Sequence, residues 1–299
     1  MCFRDLGVVA SAGPLRRCAV SGARVHAAAG RFARIGKLPL PIKERSLLGT
    51  AAGTSAGPYG AACGRPPRRE LAGLRAAARQ AACRGGLRSA AELALGVLSP
   101  TWRLDPEAVV VLAPLWQVAQ ALRRGTFPRQ RWQDVAGSAL AGHGRGNGPF
   151  AAALLSLQRL GFGEDVECWS GVPEAPQGWR PGHRALHDTR RVLLEAWGKA
   201  ECAAVAARRA DFVHLRLGID RWATRRLMEQ GVLGAEASGA LRVVIAGGVI
   251  TERVASKWGR PSRCPHCGLE DEDVEHRFWK CPPLGSRAAK SIVRTPRPN

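Results

Sequence analysis

The chain has 299 residues, and its 45 Lys plus Arg against 24 Asp plus Glu give a formal net charge of +21. Such an excess attracts polyanions before any motif is considered, and its arginine bias suits phosphate, because a guanidinium fork pairs with phosphate oxygens and stacks on bases. The longest apolar stretch, Ala108 to Leu115, is far below the roughly 18 residues that a membrane-spanning helix needs, and no compact apolar core follows the first basic residues to make a secretory signal.

In chain order, Met1 to Arg69 has the composition of a disordered arm: twelve Lys plus Arg stand against only Asp5 and Glu44, among many Gly, Ala and Pro. The same features resemble an organelle transit peptide. From Glu70 helical punctuation begins. Ser89-Ala-Ala-Glu92 is a capping box expected to open a helix from Ala90 to Leu98. Asp105-Pro106 starts the next, with Asp as cap and Pro at the first position; it passes Leu112, Pro114 and Trp116 and stops at Gly125.

The glycine-rich run Gly142 to Gly148 reads as a flexible joint, or as a loop whose amides hold a phosphate beside Arg145. Its spacing fits no nucleotide-binding fingerprint. A helix follows from Pro149 to Leu160, with Phe150, Leu154 and Leu157 on one face and Gly161 closing it. Asp188 to Phe212 is a long Ala-rich amphipathic segment with Leu193, Trp197 and Val205 as core contacts. Two further helices, Arg221 to Gln230 and Glu236 to Ala246, bring Arg225, Arg226 and Arg242 toward the C-terminal region. His183 and His187 stand at helical spacing, but Arg184 occupies the place where a zinc-protease helix needs Glu, and no third ligand is near in sequence.

The most definite chemistry lies at Cys264, Cys267, His276 and Cys281, spaced C-x2-C-x8-H-x4-C. Three thiolates and one imidazole complete the tetrahedral shell of a structural Zn2+ site, with no position left for substrate. Cys264-Pro265-His266-Cys267-Gly268 reads as a knuckle turn, Pro265 presetting one dihedral and Gly268 tolerating a positive one. His266 is the competing imidazole, but a ligand inside the knuckle would strain it. Asp271 or Asp273 is expected to cap a short helix from Val274 to Lys280. A helix running straight through would point His276 and Cys281 about 140° apart. It must therefore break before Cys281, and Pro282-Pro283 supply the break. The remaining cysteines, Cys2, Cys18, Cys63, Cys83, Cys168 and Cys202, show no paired spacing.

The stretch from Cys264 to Pro282, with its acidic residue before the His and the Phe278-Trp279 pair after it, resembles the C-terminal zinc-binding domain of non-LTR retrotransposon reverse transcriptases. A looser likeness extends upstream through Gly218-Ile219-Asp220-Arg221 and Ala246-Gly247-Gly248-Val249. The resemblance implies that Cys264, Cys267, His276 and Cys281 bind zinc and that the module grips template RNA or target DNA. The chain departs from such enzymes in having no Asp-Asp dipeptide, which the aromatic-x-Asp-Asp turn of a polymerase palm requires for its two metal ions.

The expected architecture is thus mainly α: a disordered arm over 1–69, an irregular helical body over 70–258, a small Cys3His zinc module over 261–284 and an unordered basic tail over 285–299. The expected function is binding without catalysis, to RNA or single-stranded DNA, by the C-terminal part of a retroelement reverse transcriptase. Arg263, Arg277 and Lys280 would meet the backbone, and Trp279 or Phe278 would stack on bases or form a mini-core. The alternatives are a host protein whose zinc module serves a protein interface, and an inert translation product whose composition reflects GC-rich coding. Unpaired thiols with a zinc set suit a reducing intracellular compartment, nuclear or cytoplasmic.

Overall fold

The computed structural model describes residues 2–5, 8–11, 19–61, 66–83, 89–99, 101–138, 149–170, 179–220, 223–224, 226 and 234–284. It is mainly helical. A two-stranded antiparallel hairpin, β1 (Cys2–Asp5) and β2 (Val8–Ser11), precedes α1 (Ala19–Lys37) and α2 (Ile42–Gly49), which continues as a π-wound turn over Thr50–Thr54. Then come α3 (Arg68–Cys83), α4 (Ala91–Leu93) with a π turn over Ala94–Leu98, α5 (Pro106–Arg123), α6 (Arg129–Ser138), α7 (Pro149–Leu160) and α8 (Leu186–Arg208). The helix α9 (Ala235–Ile245) and the short α10 (Glu252–Ala255) lead into the C-terminal module.

The expectation of a disordered arm over 1–69 fails for α1 and α2. Val25, Ala28, Phe32 and Ile35 repeat at intervals of three and four, which lays one apolar stripe along a helix. That stripe packs on Leu74, Ala78, Ala81 and Ala82 of α3 and on Leu104, forming a core of its own. Small residues make the close approach possible. A Cβ on Gly49 would lie 2.6 Å from Leu104 Cδ1 and 2.9 Å from the Phe32 ring, and one on Gly53 would also collide with that ring. Glycine composition, read from sequence as a mark of disorder, here lets a phenylalanine seat against helical backbone.

A second and larger core lies among α5, α6, α7 and α8. Leu112, Leu115, Leu154, Leu157, Leu193 and Trp197 meet there with Trp132, Trp169 and Trp179. The apolar stretch from Ala108 to Leu115 is thus interior helix. Asp105 caps α5 as its sequence predicts, Oδ1 accepting from the Glu107 amide at 3.0 Å with Pro106 at the first turn. Gly125 and Gly161 close α5 and α7 at φ of 65° and 79°. The expected capping box at Ser89 does not form: Ala90 is the cap and no side chain serves it. Glu92 instead pairs with Arg208 at 2.6 Å and Arg75 at 3.5 Å, a stronger claim on a carboxylate than one amide.

Arg75 joins the two cores. Its guanidinium, 7% exposed, pairs with Asp105 at 2.6 Å, Glu107 at 2.7 Å and Glu201, so one cation ties α3 to α5 and α8. Arg159 of α7 pairs with the same Glu107 at 2.6 Å and Glu201 at 3.2 Å, and both arginines lie over the Trp197 ring. Burial opposes the charge of Arg75, but the carboxylates outweigh it and hold its pKa above the ordinary arginine value. For Glu201 burial dominates and pushes its pKa from 4.5 up to about 7, against the pull of Arg75.

The end of α9 docks on the π turn after α4, where Ala246 meets Ala94 and Leu98 and its carbonyl accepts from the Ala90 amide at 2.7 Å. Among the described residues no helix is long and apolar enough to cross a membrane. The tail over 285–299, the Gly142 to Gly148 loop and most of the expected helix from Arg221 to Gln230, Arg225 included, lie outside the described residues.

Two outcomes follow from the Arg75 network. Arg75→Ala, which strands several buried carboxylates, should cost about 3–5 kcal/mol in urea unfolding. Because the folded pKa of Glu201 is raised, the native state holds a proton that the unfolded chain has released between about pH 4.5 and 7. This group's contribution is therefore fully present below that window and lost as pH rises through it. Glu201→Gln should flatten the stability profile there; an unchanged slope would assign the proton elsewhere.

Candidate metal centre

The candidate metal centre is built from a knuckle and a later turn close to the end of the described residues. Cys264, Cys267, His276 and Cys281 each offer one ligand atom, and these four atoms lie within 4.8 Å of one another. Cys264 Sγ and Cys281 Sγ are 3.8 Å apart, and Cys267 Sγ is 3.3 Å from His276 Nε2. Cys264, His276 and Cys281 are buried and Cys267 is half-buried, while His266 is exposed on the knuckle and takes no part.

Local backbone chemistry explains the convergence. The Gly268 amide donates to the Cys264 carbonyl at 2.8 Å, and Gly268 sits at φ +68°, so the knuckle closes through the residue that tolerates the left-handed region. A short antiparallel bridge then pairs Arg263 with Asp271. Asp273 caps the following turn, Oδ1 accepting from the His276 amide at 2.7 Å. That turn is wound as π over His276–Lys280, and the Cys281 amide donates to the His276 carbonyl at 2.7 Å, five residues back. Wider winding and the extended backbone of Cys281 (φ −67°, ψ 114°), imposed by Pro282, together bring the last thiol round to the imidazole. The break predicted between them is therefore real, and it begins inside the turn as a change of winding.

Sequence reasoning missed Glu270. Its Oε2 lies 3.1 Å from His276 Nδ1, which leaves Nε2 for the cluster and fixes the ring, as carboxylates behind metal-bound histidines do. The signal was the acidic run itself, read only for caps. Glu272, from the same acidic run, is buried, accepts from the Glu252 amide at 2.8 Å and pairs with Arg277 at 3.5 Å. Its own carbonyl accepts from the Arg253 amide at 3.1 Å. The module is thus anchored on α10, and a boundary at 261 cuts through one packed unit.

The ligands are tuned by this setting. Burial works against a charged His276, but hydrogen bonds with Cys264, Cys267 and Glu270 prevail and raise its pKa to about 9. The Leu269 amide leads the groups that lower Cys267 to about 7, whereas burial raises Cys281. A metal would displace these protons. Elsewhere, burial pushes the Cys83 thiol up to about 11 and Cys202 is buried, which suits inert packing rather than reactivity. His187 is exposed, its Nε2 lying 3.2 Å from Asp188.

The residues expected to meet a nucleic-acid backbone are placed unequally. Arg263 is exposed; Arg277 is committed to Glu272 and to the Ile250 carbonyl at 3.3 Å; Lys280 pairs with Glu275 at 3.2 Å. Phe278 is 38% exposed, and the side chain of Trp279 lies outside the described residues. In comparison with known proteins, no family model matches the chain, and no curated protein or solved structure matches it either.

If the four donors act as one site, Cys281→Ser should abolish stoichiometric metal binding. Glu270→Gln should retain the site while weakening affinity by about 10–100-fold in a chelator competition; equal affinity in that variant would show that Glu270 does not orient the ring.

Proposed function

We propose that this chain is a nucleic-acid-binding protein, the C-terminal part of a retroelement reverse transcriptase, whose terminal module is organised by Zn2+ to grip RNA or single-stranded DNA. The observation that carries the reading is the gathered Cys3His cluster. A tetrahedron with Zn–S bonds of ~2.3 Å has edges of about 3.8 Å, and the two buried sulfurs stand 3.8 Å apart. Zinc is the ion that this donor set suits best, in a closed shell that holds structure and performs no chemistry.

Charge favours a grip beside the knuckle over one on it. From Pro261 to Leu284 there are three Lys or Arg residues against five Asp or Glu, and three thiolates around Zn2+ add about one further negative charge. The stretch before it carries Arg253, Lys257 and Arg260, all exposed, with Trp258 58% exposed among them; Arg253 pairs with Asp273 at 3.5 Å and Arg260 with Glu252 at 2.7 Å, pairs at the surface that a phosphate could replace. Basic side chains around an exposed indole suit a single strand, whose phosphates pair and whose bases stack. The zinc ion's task is to hold that edge, through Glu272 and α10, in one shape.

A protein interface is the second reading, favoured by Leu269, 74% exposed, near Phe278 in sequence. Fluorescence anisotropy with labelled single-stranded RNA separates the two. Raising salt from about 50 to about 200 mM should weaken binding about fifty-fold if four phosphates are paired, at ~0.7 counterion per phosphate. Chelation should weaken it further. Absence of RNA binding, or affinity indifferent to salt, contradicts the reading; an in-frame palm in the genomic DNA upstream would support the retroelement origin independently.

A further inference from the structure

The Arg75 network floors a cavity of about 520 Å³ between α3, α4, α5, α7 and α8. We propose that this cavity is a phosphate-binding site, taking the phosphate of a nucleotide or of a polynucleotide backbone, separate from the metal centre. It extends the nucleic-acid reading but stands on the helical body alone.

Charge comes first. Five arginines line the cavity, Arg68, Arg75, Arg79, Arg159 and Arg208, against three glutamates, Glu92, Glu107 and Glu201. Every one of those glutamates is already held by an arginine: Glu92 by Arg208, and Glu107 and Glu201 by both Arg75 and Arg159. The same pairs engage Arg75, Arg159 and Arg208, so the excess positive charge over the lining glutamates is that of Arg68 and Arg79, offset in part by Asp105 beneath Arg75, and it favours an entering anion over a cation. The raised pKa of Glu201 near neutrality lessens the opposing negative charge further.

Preorganisation comes second. Arg75 is almost fully buried, and its Nε is buried with no hydrogen-bond partner among the described residues. Arg159 is fixed between two carboxylates and the Trp197 ring, and Arg208 donates from Nε to the Ala204 carbonyl at 3.0 Å and from Nη2 to Glu92 at 2.6 Å. The guanidinium groups are thus set in place before any ligand arrives, which lowers the ordering cost of binding.

Space comes third. Between the arginines the wall is made of Ala72, Ala76, Ala91 and Ala204, whose methyl groups leave the volume unfilled. That volume lies within the usual range for small-molecule sites, about 300–1,000 Å³. Arg68 is exposed at the start of α3, where a longer polyanion would also reach it.

The test is calorimetric titration of the full chain with inorganic pyrophosphate, alongside anisotropy with labelled single-stranded RNA. Saturable binding of one pyrophosphate per chain is expected. Arg68→Ala and Arg208→Ala should each weaken it about tenfold, the worth of one charge-assisted contact. Ala204→Trp, on an exposed helical position, keeps the charge and fills the cavity; it should abolish binding with an unchanged circular dichroism spectrum. RNA binding lost in the same variant identifies a polynucleotide as the source of the phosphate, and RNA binding retained identifies a free nucleotide. Absence of saturable pyrophosphate binding, or wild-type binding by Ala204→Trp, overturns the proposal. Pyrophosphate bound normally by a chain that binds no RNA would sink the preceding reading and leave this one standing.

Discussion

The C-terminal module depends on one geometric constraint: three sulfurs and a nitrogen, drawn from a turn and from a helix, must reach a common point. An α-helix cannot satisfy it between His276 and Cys281. The chain answers with a π-wound turn, an aspartate that starts it and a proline that ends it. Other parts of the module follow from that solution. Glu270 stands behind the imidazole, and Glu272 is buried so that its carboxylate and carbonyl can take the amides of α10. The acidic run 270–273 is therefore a set of separate tasks and not a solvated patch.

The helical body has a polar centre of its own. Two apolar cores, one on α1 and α3 and the other on α5 to α8, are joined through Arg75 and the carboxylates of α5 and α8. A buried ion cluster of this kind is weak evidence for stability, since apolar residues of the same volume do as well, but removing one partner is costly. Such a cluster also leaves arginines preset around a cavity, which is a reason beyond stability for charge to be there.

Much of this was legible in the sequence. The Asp105-Pro106 start of α5, the closing glycines at 125 and 161, the apolar face of α7 and the gathering of Cys264, Cys267, His276 and Cys281 into one cluster that could hold a metal ion all rest on local rules, and each appears at the expected place. What was not legible depended on partners distant in sequence. Glu92 reads locally as half of a capping box, but Arg75 and Arg208 reach it from two other helices. The arm over 1–69 reads by composition as disordered, yet Phe32 finds a seat made by Gly49 and Gly53. Arg75, one of 45 basic residues, carries no local mark of the carboxylates that surround it.

The central claim is that a single tetrahedral ion holds the end of this chain in shape. Elemental analysis of the purified 299-residue chain tests it most directly, read together with amide NMR signals of residues 262–281 before and after chelation. One zinc per chain, with those signals collapsing when it is removed, is the result expected. Protein that contains no stoichiometric zinc, or a module whose signals are unmoved by the chelator, would contradict it.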